Sequence, residues 1–182
     1  MAFTQTAAPA AEPLSLDDAK AYLRVDHGDD DTFISSLIVT SRLQVETALD
    51  LALIQQSWRW VGTVAPDRIV LLRPFPVLSV DAVARLDDGV ATPLLDDGFT
   101  VDASTRPATV RLQGLGLLQV QIDFTAGFGA AASDVPAPIR HALLQLVAHW
   151  YENREPVVFG QSVTRIPNAV SELLMPYREA RL

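Results

Sequence analysis

From Leu14 to Leu49 the apolar positions recur at helical spacing. Ser15 precedes Leu16, Ala19 and Leu23 and has Asp18 three residues on, a variant of the capping box that predicts a short helix ending near Asp26-His27-Gly28. A second helix is predicted from the run Asp29, Asp30 and Asp31, whose charges suit the positive end of the helix dipole. Phe33, Ile34, Leu37, Ile38, Ser41, Val45, Ala48 and Leu49 trace one of its faces for several turns. After Gln56 the period becomes alternating. In SWRWVGTV the residues Trp58, Trp60 and Val64 point one way, and IVLLR, SVDAVARL, FTVD, TVRLQ and LQVQIDFTAG follow as short segments punctuated by Pro, Gly or Asp. Roughly six strands with short connections predict an antiparallel sheet or small barrel, because helical crossovers are missing.

Helical spacing returns after VPAP. Pro138 suits a first helical turn, and Ile139, Ala142, Leu143, Leu146, Val147 and Trp150 form a buried stripe, with His141, Gln145, His149 and Glu152 on the other side. Beyond Pro156 no dense period appears until Asn168, which is placed to cap a short helix presenting Val170, Leu173, Leu174 and Tyr177. Residues 1 to 13, rich in Ala, Pro and Thr, predict a mobile or partner-ordered arm. The sum is an α+β protein. Its helical bundle core takes residues 14 to 56 and 136 to 155, an antiparallel β-sheet or small barrel is inserted over 57 to 135, and extended arms occupy 1 to 13 and 156 to 182.

Composition narrows the chemistry. With no cysteine there is no disulfide framework, thiolate site or cysteine nucleophile. A net charge of -8 argues against wrapping nucleic acid, which needs a basic patch. Thirteen of the fourteen basic residues are Arg, a bias of genome composition more than of function. No apolar run reaches the roughly 18 residues of a spanning helix, and the N-terminus lacks the basic and apolar regions of a signal peptide, so a soluble, cytoplasmic product without membrane contact is expected. The paired aspartates at 87–88 and 96–97, each followed by Gly, read as turns, with no EF-hand spacing. Gly114, Gly116, Gly127 and Gly129 read as turn glycines, since neither GLG nor GFG opens a helix with phosphate-binding spacing.

The stretch AHWYENREPV is the strongest candidate for catalytic chemistry. His149 and Glu152 lie three residues apart, but His141 is about two helical turns, roughly 12 Å, from His149, too far to share an ion. The remaining histidine is His27. Neither a catalytic residue nor a metal or other cofactor is expected, and Ser57, Ser79 and Ser162 lie in no nucleophile elbow.

The succession LSLDDAKAYLRVD, DDDTFISSLIVTSRLQVETAL, LLRPFPVLSVDAV, DFTAGFG, VPAPIRHALLQLVAHWYENRE and IPNAVSELLMPYR resembles the head-tail connector, or adaptor, proteins of long-tailed bacteriophages. It resembles the larger version with a β insertion, found in prophages and gene transfer agents, over about Leu14 to Arg178. The resemblance implies no catalysis. It implies a dodecameric homo-oligomer ring under the capsid portal, extending a channel through which DNA passes without specific binding, and joining head to stopper and tail in the neck of the particle. On this reading Trp150 anchors the bundle, and Glu152, Arg154 and Glu155 pair with a neighbouring subunit. The C-terminal arm, an apolar segment in want of a partner, either packs back on its own core or docks on the portal protein through Arg165, Ile166, Pro167, Leu173, Leu174, Tyr177 and Arg178. Two other functions compete: a monomeric ligand-binding module around Trp58 and Trp60, and a metal-assisted hydrolase using His149, Glu152 and either His141 or His27.

Overall fold

The computed structural model describes residues 2–65, 68–95, 98–113, 117–153 and 168–178. The chain divides into two compact units, Met1–Ala10 with Asp50–Ala130 and Ala11–Leu49 with Ala131–Leu182. In the first unit the strands are β1 (Ala2–Ala7), β2 (Gln56–Val64), β3 (Ile69–Leu72), β4 (Val77–Asp87), β5 (Val90–Pro93), β6 (Phe99–Asp102), β7 (Ala108–Leu112) and β8 (Leu118–Ala126). They form two antiparallel sheets, ordered β1-β2-β8-β4-β5 and β3-β7-β6.

Strand β8 shows how sequence period becomes core. Val120, Ile122, Phe124 and Ala126 are buried, whereas Gln119, Gln121, Asp123 and Thr125 between them remain partly or wholly accessible. Pairing with β2 on one edge and β4 on the other satisfies its backbone along its length. Its inward residues join Trp60 and Val64 of β2, Val70 and Leu72 of β3, and Val110 and Leu112 of β7 in one apolar cluster. Each large side chain so buried contributes about 1.5–3 kcal/mol relative to exposure. On the outward face Arg59 forks onto its cross-strand neighbour Asp123, at 2.6 Å from Nε and 3.0 Å from Nη2.

Two strands were not anticipated. Where residues 1 to 13 were expected as a mobile or partner-ordered arm, β1 pairs with β2 from Ala2 opposite Val61 to Ala7 opposite Ser57. All six of its residues are exposed, so no apolar period marks it; backbone pairing holds it, aided by Phe3, whose ring meets Phe124 edge-on at 6.5 Å. The fully exposed β5 is likewise unmarked by period and is created by its turn. Asp88 and Gly89 take φ of 50° and 84°, the left-handed pair of a two-residue hairpin that sets Asp87 opposite Val90.

The helical portion stops at Leu49 and not at Gln56. Asp50 turns left-handed, with φ 54°, and Leu51–Ile54 is fully buried in the sheet unit. The amide of Ala52 donates to the Phe75 carbonyl, and that of Gln55 to the Gly129 carbonyl. Gly127, expected as a turn glycine, has a stricter role. Its φ is 141°, and a Cβ there would stand 2.6 Å from the Gln55 nitrogen, so two backbone segments meet where no side chain fits.

The second unit contains α1 (Leu16–Leu23), α2 (Asp31–Leu49), α3 (Ala137–Glu152) and α4 (Asn168–Leu174), the last followed by a 3-10 turn at Met175–Tyr177. Ser15 caps α1 by accepting the Asp18 amide at 3.0 Å, and Arg24 ends it in the left-handed region. Helix α3 packs on α1, α2 and α4 and buries Ile139, Ala142, Leu143, Leu146 and Val147. From α2 come Ile34, Leu37, Ile38, Val45 and Leu49, whereas Ala48, placed on this face by periodicity, is exposed.

Candidate interaction surfaces

The end of α3 carries the histidine-glutamate motif. Asn153 closes the helix, its amide donating to the His149 carbonyl at 3.1 Å and its Nδ2 to the same oxygen at 2.8 Å. Nδ2 also lies 3.4 Å from His149 Nδ1, so this histidine belongs to the helix end. Tyr151 donates its hydroxyl to Asp30 and packs its ring 6.1 Å from that of Phe33. It ties the end of α3 to the start of α2, and Trp150, placed in the buried stripe by periodicity, is half-buried. Glu152 is exposed; Arg154 and Glu155 lie outside the described residues.

His141 sits 3.1 Å from Gln145 Nε2 and edge-on to Tyr22, while His27 faces Asp29 at 3.9 Å. Among the described residues no three His, Asp or Glu side chains converge as a metal site. Trp60 is fully buried and Trp58 is half-buried against the same cluster. A recess of about 450 Å³ borders Trp60, with Phe3, Val64, Ile69, Leu71 and Leu117 around it. Its lining is mostly apolar, with Thr63 and Arg68 as the polar side chains among the described residues that line it.

The C-terminal helix is engaged with its own unit. Val170 and Leu174 are buried where α4 packs on α3, so Leu174 cannot also serve a portal-docking face while that packing holds. The cause is spacing: positions four apart share a helix face. Leu173 and Tyr177 are partly accessible and Arg178 is exposed, whereas Arg165, Ile166 and Pro167 lie outside the described residues.

One polar cluster escaped the sequence reading. Arg42 is 7% exposed within the buried face of α2. Its Nε and Nη2 donate to the two carboxylate oxygens of Glu12 at 2.7 and 3.1 Å, and its Nη1 to Glu46 at 2.8 Å. Burial alone would make the guanidinium easier to deprotonate, but its hydrogen bonds to Glu12 and the charges of Glu46 and Glu12 outweigh it, holding the group above the usual arginine value. The i,i+4 spacing of Arg42 and Glu46 was a legible signal. Glu12, thirty residues from Arg42, was not. This pairing pins the start of the unit to α2.

Comparison with known proteins bears on the whole chain. The head completion protein model matches residues 12–180. This chain belongs to the head completion protein family. Solved structures extend the likeness to the full length: a chain in the neck of an empty gene transfer agent particle, computed with C6 symmetry, is 26% identical with a TM-score of 0.82. A chain in the virion of the native gene transfer agent particle is also 26% identical, with a TM-score of 0.79. One in the neck of the native particle, computed with C12 symmetry, is 25% identical with a TM-score of 0.76. Each comparison covers 100% of this chain and 97% of the other. No curated protein matches this sequence.

Proposed function

We propose that the protein is a structural head-tail connector of a phage-like particle, working by assembly and not by catalysis. Its copies form a ring at the neck, twelve in number, between the portal and the stopper, and DNA passes through the ring. The observation that carries this is the full-length similarity to chains from gene transfer agent necks solved with C6 and C12 symmetry, alongside membership of the head completion protein family. A cyclic ring repeats one heterologous contact, so modest affinity at each interface becomes durable by repetition. A net charge of -8 suits a conduit, because strong phosphate contacts would retain the DNA.

In this reading Glu152, with Arg154 and Glu155, contributes to subunit contacts. The segment from Arg165 to Arg178 contributes to portal docking through Leu173 of α4 and through Tyr177 and Arg178 in and after the 3-10 turn that follows it, with Leu174 retained by its own unit. The test is a producing strain lacking the gene, complemented by the full chain or by a chain ending at Glu155. Without the protein, filled heads and free tails are expected to accumulate separately, and the full chain restores joined particles with the protein in the neck. The truncated chain is expected to leave heads without tails. Joined particles in the strain lacking the protein would refute the connector function, and normal tail attachment by a truncated chain that retains helix would refute C-terminal docking.

A further inference from the structure

Between α1 and α3 of the helical unit lies a groove of about 360 Å³, walled by Leu14, Ala21, Tyr22 and Leu144 and bordered by Arg140 and His141. Arg140 is the unexplained residue there. Its Nε is buried with no hydrogen-bond partner, which is unfavourable for a group whose every side-chain nitrogen is a donor. The groove also contains Asp18, but the Ser15 hydroxyl donates to that carboxylate at 2.7 Å as part of the α1 cap, and no ion pair joins it to Arg140 among the described residues. An apolar-walled groove with an unpaired guanidinium at its border suits an acidic side chain that excludes water as it enters.

The same helix offers such a side chain. Glu152 is exposed and has no ion pair among the described residues. It lies twelve residues beyond Arg140 on α3, which places it about 18 Å along the axis and about 120° around it. A head-to-tail contact requires two different patches on each copy, displaced and rotated from one another, and this pair meets that requirement on one helix. Resting on the ring reading above, we propose that the α1–α3 groove is the acceptor half of the contact between copies, with Arg140 receiving the carboxylate of Glu152 from the neighbouring copy. The helix that forms the core of each unit would then also link successive units.

The chain's lack of cysteine makes the contact directly testable. Particles are assembled by cells expressing Arg140→Cys/Glu152→Cys in place of the native chain and are treated with a bismaleimide shorter than about 18 Å, which cannot bridge the two positions within one helix. A ladder of covalent multimers is expected from the double variant and only monomer from either single variant. In a second arm, Arg140→Glu is expected to reduce incorporation into particles by on the order of tenfold, and Arg140→Glu/Glu152→Arg to restore it, with circular dichroism showing that both retain native helix content. Rings present in the particle but yielding no ladder, combined with failure of the charge exchange to restore incorporation, would overturn this contact and leave the ring reading standing. Cross-linking to a protein of different mass would assign the groove to another partner and overturn the proposal. Native particles whose necks lack the protein would overturn the ring reading and the contact together.

Discussion

Replacing Arg42 by Ala removes a cation from between two carboxylates that the fold has drawn together. The side chains of Arg42 and Glu46 are 8% and 10% exposed, so Glu46 cannot regain water without local opening, whereas Glu12, 31% exposed, rehydrates in part. Breaking a buried pair by removing one partner costs about 3–5 kcal/mol. The partial exposure of Glu12 places Arg42→Ala at the low end, about 3 kcal/mol, including the lost packing of the arginine stem. Glu12→Gln keeps a hydrogen-bond acceptor and loses only the more exposed charge, so about 1 kcal/mol is expected. The assay is urea unfolding of the full chain followed by far-ultraviolet circular dichroism, with Glu12→Ala and Arg42→Ala/Glu12→Ala completing a double-mutant cycle. A coupling of about 1–2 kcal/mol is expected from residues in one network, and it should change little with added salt because the pair is largely shielded from solvent. Arg42→Ala within about 0.5 kcal/mol of the native chain, the range of an ordinary surface change, would refute the reasoning that this cluster holds the start of the helical unit to α2.

Two further predictions concern the sheet unit. Gly127→Ala should destabilise it by about 3–5 kcal/mol, combining overlap with the Gln55 backbone and a φ that alanine rarely adopts; Gly89→Ala, where an added Cβ meets nothing, should cost only about 1–2 kcal/mol in urea titration, from its φ of 84° alone. The Asp102 carboxyl is held below the usual carboxylate range, chiefly by the Ser104 hydroxyl at 2.6 Å and also by the Ser104 amide at 2.9 Å. The fold therefore favours the ionised form, and this preference is present at neutral pH and lost as pH falls through the folded-state value. Carbon-detected NMR titration should show Asp102 moving up toward the ordinary range in Ser104→Ala, and an unchanged midpoint would remove the hydroxyl as the cause.

Periodicity by itself determined much of this protein. The stripe from Ile139 to Val147 and the alternation of Val120, Ile122, Phe124 and Ala126 could be assigned because each buries one face, and burial imprints its period on the residue types. The order of segments carried the family likeness for the same reason: each retains its local pattern. Where burial leaves no imprint, tertiary structure decided. β1 is exposed at every position and β5 likewise, so backbone pairing with β2 and β4 makes them strands; the Asp88-Gly89 turn was legible in the sequence, the strand after it was not. Leu51–Ile54 carried a helical setting in the sequence, yet Asp50 turns the chain and the backbone bonds to Phe75 and Gly129 hold the segment in the sheet unit. The interaction surfaces divide the same way. That His149 lay too far from His141 to share an ion followed from helix geometry, whereas the joining of Glu12 to Arg42 and the stranding of Arg140 in its groove depend on segments distant in sequence. A local period reports which face of an element is apolar; which element covers that face, and which charge is left without a partner when it does, is fixed only when the chain folds back on itself.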